Sequence, residues 1–428
     1  MHTSTDIPPA PASTGKRSFL INRNFGLLWS GQTISEFGSR ITREGLPLAA
    51  NLVLRATPIQ MGLLAAIGTL PVLLVSLFAG VWVDRLRRRP LLIVADLGRA
   101  ILLLSIPLAA VFGLLRIEQL YLVAALVGIL TIIFEVANQS FLPGLVPREQ
   151  IVEANSKLSA SSSLAEIGGP TLAGVLVQAI TAPLAILFDA LSFLVSALCA
   201  GFIRVPEARP SPAQEQQNLW REIQSGLRLL LGNPVLRAIT LSTSTNNFFG
   251  GAFATLYGLF LIRELAVTPA LYGVLVTFGG IGAFVGAFAA SRLVRRVGLG
   301  KTLIGAMLLS GAASLLTPLA GGPHLVIIAM LMASQLVGDF GREIYLINAV
   351  SLRQSIIPNH LLGRVNASAQ FLTEGIWPLG AILAGLLSEA IGMRFTLLLG
   401  AGMGFLLSSA WLLFSPLRRL HQPSPLEI

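Results

Sequence analysis

The chain is broken into apolar runs of about twenty residues, the length a helix needs to cross the hydrocarbon core of a bilayer. Reading for runs bounded by Pro, Gly or charge gives about twelve of them. They lie near 24–53, 59–83, 90–113, 118–142, 155–180, 183–203, 236–262, 269–291, 301–320, 324–350, 362–388 and 394–415. A soluble protein carries about a quarter charged residues. Here only 12% are charged and 54% are hydrophobic, and the deficit extends along the whole length. This predicts an all-α polytopic membrane protein rather than a soluble domain with an anchor. The first 18 residues are polar and rich in Pro, Ser and Thr, so they read as a short tail and not as a signal peptide.

Charge placement orients the spans. Arg85, Arg87, Arg88 and Arg89 crowd one turn, with Asp84 at the helix end before it. Arginines are costly to move through hydrocarbon, so that turn is expected on the cytoplasmic side. With the N-terminus on the same side, the outer turns carry only Arg55, Arg116, Arg263 and Arg394 of the chain's 30 Lys and Arg. Arg40, Arg43, Arg99 and Arg342 fall inside the spans. The asymmetry predicts an even number of spans with both termini in the cytoplasm. It also accounts for the net charge of +10, because the basic residues sit in short turns and not on a basic helix or an aromatic-interleaved patch. No nucleic-acid partner is expected.

Signals for enzymes and metals fail. Cys199 is the single cysteine and reads as buried filler, while His2, His324, His360 and His421 lack ligand spacing. Neither a metal nor a cofactor is expected. Gly300-Lys301-Thr302 imitates the end of a phosphate loop, but Arg295 stands where its first glycine belongs. No Ser/His/Asp or Cys/His set accompanies it, so the chain reads as neither an ATPase nor a membrane enzyme.

The chain repeats internally. LVPREQIVEANSKLS at 145–159 aligns with IIPNHLLGRVNASAQ at 356–370, pairing Pro147 with Pro358, Asn155 with Asn366 and, further on, Gly174 with Gly385, each 211 residues apart. The turn at 84–89 aligns with 291–296 at an offset of 207. Between the halves lies the one long polar break. It begins with Pro206, Pro210 and Pro212 and becomes amphipathic through Leu219, Trp220, Ile223, Leu227 and Leu230, as an interfacial helix does. The expected organisation is a tail at 1–23, a six-helix bundle at 24–203, a cytoplasmic linker with an amphipathic helix at 204–235, a second bundle at 236–415 and a tail at 416–428.

Gly80-x-x-x-Asp84-Arg85-x-x-Arg88-Arg89 resembles the signature between the second and third helices of major facilitator superfamily transporters. Trp29-Ser-Gly-Gln-Thr-Ile-Ser35, Gly45-Leu-Pro-Leu48 and Leu362-Gly-Arg364-Val-Asn366 are similar to bacterial exporters of the enterobactin-exporter and macrolide-efflux type. The resemblance runs from Phe25 to Leu420. It implies twelve transmembrane helices in two pseudo-repeated six-helix bundles, with the substrate site between them at the midplane. It also implies that Gly80, Asp84, Arg85, Arg88 and Arg89 form a conformational latch with the start of the eleventh span, where Arg364 is the natural charge partner of Asp84. Gly168-Gly169-Pro170 through Gly174 resembles the antiporter motif of the fifth helix, with two glycines replaced by alanine, and implies a bend that lets helices approach closely. This chain has Arg87 where the superfamily turn usually has glycine. Its fourth span also lacks the arginine of many drug/proton antiporters.

An ionisable group at mid-span needs a partner, water or a purpose. Glu36, Arg40 and Glu44 recur every four residues on one helical stripe with Arg43 beside them, and Asp339, Arg342 and Glu343 repeat the idea near the end of the chain. The stripes read either as a polar cavity wall or as structural networks. Glu135 shares a face with Asn138 and Gln139 and has no basic neighbour in sequence. Glu135 and Glu166 are therefore the candidate proton carriers, because an apolar setting favours a neutral carboxyl. Glu374 and Asp189 rank below them. Asp96 and Arg99 are expected to support the Asp84 turn. A polar run from Ser242 to Asn247, including Asn246, precedes Phe248, Phe249, Phe253 and Tyr257 and reads as cavity lining or as packing.

Together these readings predict a monomeric secondary transporter of a bacterial inner membrane. It is expected to export a hydrophobic or amphipathic organic molecule of the drug, macrolide or siderophore class by alternating access, in exchange for protons. Its partners are then the small-molecule substrate, protons and the lipid bilayer. An importer or uniporter of a small metabolite on the same fold, and a non-transporting receptor or assembly partner, are the alternatives.

Overall fold

The computed structural model describes residues 22–84, 86–147, 150–205 and 219–419. These residues form fifteen α-helices, and no strand occurs among them. They are α1 (Arg23–Leu52), α2 (Pro58–Asp84), α3 (Arg88–Val111), α4 (Ile117–Phe141), α5 (Ile151–Ile180), α6 (Ala182–Phe202), α7 (Leu219–Gly232), α8 (Pro234–Arg263), α9 (Pro269–Val297), α10 (Leu299–Ser314), α11 (Leu316–Leu319), α12 (His324–Ile356), α13 (Asn359–Glu374), α14 (Trp377–Ile391) and α15 (Met393–Leu413). Among the described residues, nine helical stretches are long and apolar enough to cross a membrane. Large apolar side chains such as Ile101, Leu198, Phe395 and Leu406 lie on the outside with more than half their surface free, as lipid contact requires.

Two of the apolar runs are interrupted. The run at 301–320 is split into α10 and α11 at Leu315, and the run at 362–388 into α13 and α14 at Gly375. At the second break Pro378 cannot donate a main-chain hydrogen bond. The Ser244 hydroxyl donates to Leu372 O at 3.2 Å and Asn247 Nδ2 to Thr373 O at 2.9 Å, so α8 satisfies the carbonyls around the break. Ser242 and Thr243 likewise bond Ser408 O and the Tyr345 hydroxyl. Most of the polar run on α8 is thus committed to its neighbours rather than to a cavity.

Helices α1–α6 pack mainly among themselves, as do α8–α15. The two groups meet through α5 on α9, α2 on α14 and α2 on α8. Apolar burial gives little drive between helices in lipid, so small residues set these contacts. A side chain at Gly62 would come within 2.6 Å of Ala381 O, and one at Gly385 within 2.7 Å of Pro58 O. Gly174 and Gly273 face each other across α5 and α9 in the same way.

Hydrogen bonds join the two groups at one end, the end that holds the turns at 53–57 and 264–268. Arg263 Nε donates to Asn51 Oδ1 at 2.7 Å, and its Nη2 donates to Ala56 O at 2.9 Å and Asn51 O at 3.3 Å. The Ile59 amide donates to Glu389 at 3.4 Å and the Ala270 amide to Gln178 at 3.1 Å. This end, distal to residue 22, is therefore closed.

Several local features recur at the 211-residue spacing of the sequence match. Asn22 and Asn233 each cap a helix by accepting bonds from two following amides. The Thr57 and Thr268 hydroxyls accept from Gln60 N and Leu271 N, both at 3.3 Å. Ala56 N bonds Ala50 O and Val267 N bonds Leu261 O, each at 2.9 Å, around the left-handed residues Arg55 and Ala266 (φ 50° and 52°). Thr181 (φ 101°, ψ 153°) matches Gly392 (φ 85°, ψ 157°). That backbone region is nearly confined to glycine, and a β-branched residue held there costs ~1–3 kcal/mol. Thr181→Gly is accordingly predicted to stabilise the protein by about 1 kcal/mol, and Gly392→Thr to destabilise it by at least as much. Thermal unfolding in detergent checks both, and a lower midpoint for Thr181→Gly would contradict the strain.

Candidate functional site

The charged stripe of α1 runs along the seam between the two groups of helices. At its end near residue 22 lies a polar cavity of about 240 Å³, lined on α1 by Gln32, Thr33 and Glu36, on α4 by Asn138, and on α5 by Asn155, Ser159, Ser161 and Ser162. Trp29 Nε1 donates to Ser161 Oγ at 2.8 Å and fixes α1 against α5 there. Glu135, exposed on α4, is within electrostatic reach of Glu36.

One turn deeper, Arg40 forms an ion pair with Glu166 of α5. The pair is possible because Gly169 leaves its Cβ position empty, and a side chain there would collide with Cβ and Cγ of Arg40. Glu166 does not stand alone, then, as its sequence surroundings suggested. It also lies within electrostatic reach of Asp339 and Glu343 on α12, beside Arg342. Gly279 of α9 makes the corresponding room for Asp339. The structure thus brings together Glu36, Arg40, Glu166, Asp339 and Glu343 from both groups of helices, with Arg342 exposed at the edge.

At the closed end of the stripe Glu44 accepts a hydrogen bond from the Tyr272 hydroxyl of α9 at 2.8 Å. Tyr257 of α8 packs against Tyr272 with ring centroids 6.0 Å apart. Nearer mid-depth the Thr171 and Thr277 hydroxyls meet at 2.7 Å across α5 and α9, and Thr277 also donates to Ile167 O at 2.9 Å. Pro170 and Gly174 belong to this close crossing, where Pro170 O abuts Gly273.

Other candidates lie elsewhere. Asn247 is buried between α8 and the α13–α14 break, where it also reaches Glu374 Oε1 at 3.2 Å, while Asn246 is half-buried. Gln139 is exposed on α4. Arg89 donates to Ala200 O at 3.0 Å and to Gly201 O, closing the end of α6. Asp96 and Arg99 pair with each other and turn toward α6 rather than joining the turn at 84–89. Arg85 and the side chains of Asp84 and Arg364 lie outside the described residues, Gly80 lies within α2, and Arg88 is half-buried. Sequence reasoning missed Tyr272, Asn51 and the serines of α5. Only the last left a signal, the run Ser159-Ala-Ser-Ser-Ser163 in an otherwise apolar segment.

The sequence pattern of transmembrane secretion effectors, a major facilitator superfamily family, matches residues 14–425. The chain is 28% identical over 356 residues to the multidrug efflux pump Tap of Mycolicibacterium fortuitum, covering 79% of this chain and 83% of that protein. It is 23% identical over 402 residues to macrolide efflux protein A of Streptococcus pyogenes, covering 92% and 97%. In fold it is similar to the nucleoside transporter NupG (TM-score 0.76, 13% identity, 91% of this chain and 98% of that one). It is also similar to a bacterial homologue of the iron transporter ferroportin in an inward-facing state (TM-score 0.70, 20% identity, 92% and 100%). An all-helical bundle, a charged seam between two helix groups and a family match along nearly the whole length agree: the protein is a multi-pass membrane transporter and belongs to the transmembrane secretion effector family of the major facilitator superfamily.

Proposed function

We propose that the protein exports an amphipathic organic molecule across a bacterial inner membrane by alternating access, in exchange for protons. The observation that carries this reading is the convergence of ionisable side chains from α1, α4, α5 and α12 on a seam bridged by hydrogen bonds at its distal end. Six acidic groups (Glu36, Glu44, Glu135, Glu166, Asp339 and Glu343) meet three basic ones (Arg40, Arg43 and Arg342). Such a surplus of carboxyls suits a cationic substrate and leaves groups for protons to occupy. Relatives that are multidrug and macrolide efflux pumps support the outward direction.

In this reading the spans number twelve, in two bundles at 24–203 and 236–415 joined by the linker at 204–235. The caps and turns that recur 211 residues apart support that division. With the tails at 1–23 and 416–428 in the cytoplasm, the closed end is the outer one and the polar cavity opens inward. The turn at Asp84 with Arg85, Arg88 and Arg89 then latches onto the Arg364 segment when the transporter faces outward, while the Arg263 clamp holds the present state. The transporter acts as a monomer.

Two predictions follow from the seam. Glu166→Gln leaves Arg40 without its partner. Glu166 keeps 51% of its side-chain surface exposed, so the loss is that of a screened pair, on the order of 1 kcal/mol or a roughly fivefold drop in rate. Ethidium movement in everted vesicles under a pH gradient measures it. Uptake independent of the gradient, or movement in the opposite sense, would count against proton-coupled export. Arg263→Ala removes charge-assisted bonds worth at least ~1.5 kcal/mol, about tenfold in the closed-to-open ratio. In a Cys199→Ser background, a cysteine placed by Ile59→Cys should react several-fold faster with an impermeant maleimide. Unchanged labelling would remove Arg263 from the gate.

A further inference from the structure

A second charged cluster faces away from the seam, enclosed by α1, α3, α4 and α6. Asp96, Asp189 and Arg99 are 0%, 1% and 3% exposed. Arg99 pairs with Asp96, donates to the Thr131 hydroxyl at 3.4 Å, and lies between the rings of Phe134 and Phe193 at 4.5 and 4.0 Å. Asp96 Oδ2 and Arg99 Nε lack hydrogen-bond partners. The glycine face of α1 seals the other side: at Gly38 a side chain would run into Ser192 and Asp189.

The groups facing Asp189 can be named. From α3 they are Asp96 and Arg99, and on α6 itself the Ser192 hydroxyl. The Thr42 hydroxyl of α1 lies beside Asp189, out of hydrogen-bond geometry. Glu36, Arg40, Arg43 and Glu44 of α1 are off its glycine face, and α5 brings no ionisable group to Asp189 among the described residues. From α4 comes Glu135, within the field of Arg99 and of the cavity-lining Glu36.

Three observations converge. Two carboxyls and one guanidinium leave an uncompensated negative charge in a site closed to the surface, which a single proton removes. Ser192 has one hydroxyl hydrogen, and Asp189's own carbonyl accepts it at 2.8 Å. The same hydrogen is shared with Asp189 Oδ1 at 3.1 Å, so the hydrogen bond this buried carboxyl accepts is a weak three-centre one, which leaves a carboxylate poorly satisfied and a neutral carboxyl favoured. The packing itself does not require charge, because the corresponding stretch of α10, 303–310, is uncharged and the residue 211 after Asp189 is Gly400.

We propose that this cluster is a proton-binding site, with the proton on Asp189 and Arg99 linking its occupancy to Glu135 of α4. The proton adds to a lone pair of the Asp189 carboxylate, and no covalent bond is broken. This deepens the proton-exchange reading above. The test, however, needs neither substrate nor gradient, so its failure is distinguishable from a failure of export.

The experiment is infrared spectroscopy of the full-length protein in lipid nanodiscs at neutral pH, as difference spectra between wild type and variants in H2O and D2O. The expected result is a protonated-carboxyl C=O band, shifted by deuterium, that is lost in Asp189→Asn and moved in frequency by Asp189→Glu but not by Asp96→Glu. A wild-type spectrum whose carboxyl bands are untouched by Asp189→Asn overturns the proposal. A band abolished by sodium chloride at constant pH also overturns it, since the site would then be a sodium site. The Asp189→Glu arm keeps the test decisive if the asparagine variant does not fold.

Discussion

The constraint on which this structure depends is that charge within a membrane protein must be neutralised within the protein. The ion pair of Arg40 with Glu166 is where that constraint is met most directly. It joins α1 to α5 beside the crossing of α5 with α9, so the residues that settle the electrostatics also position the seam between the helix groups. Two glycines, Gly169 and Gly279, make room for Arg40 and Asp339. Small residues here do more than let backbones approach. They hold space for charge.

Two kinds of polar commitment are visible. Along α1 the ionisable groups face a seam that can change shape, and their partners come from helices of both groups. In the cluster at Asp96, Arg99 and Asp189 the partners all belong to the first group and are packed by two phenyl rings. The first arrangement suits groups that exchange with a substrate or solvent. The second suits a group whose state changes rarely, and Arg99 stands between the two.

Much of the fold was legible in the sequence, because hydrocarbon imposes a length and a composition on each helix. The 211-residue spacing between Pro147 and Pro358 also anticipated the helix caps at Asn22 and Asn233, which lie the same distance apart. The candidate site was legible by residue type but not by partner. Nothing near Glu166 in sequence announces Arg40, which lies 126 positions earlier. The polar run on α8 could be read as cavity lining or as packing, because sequence does not reveal that α13 and α14 are broken beside it. Tyr272 carried no signal at all, since an aromatic residue in an apolar run is unremarkable until the helix opposite supplies Glu44.

The partners of Arg263 have one more consequence. Two of its three bonds end on main-chain oxygens, at Asn51 and Ala56, and the third on a neutral amide. A closure of this kind has no acid to titrate and no carboxylate for salt to screen. It is also largely indifferent to which side chain occupies position 56. It responds instead to the path of the backbone through the turn at 53–57. That makes the Arg263 clamp a detector of shape, while the acids of the seam beside it detect charge.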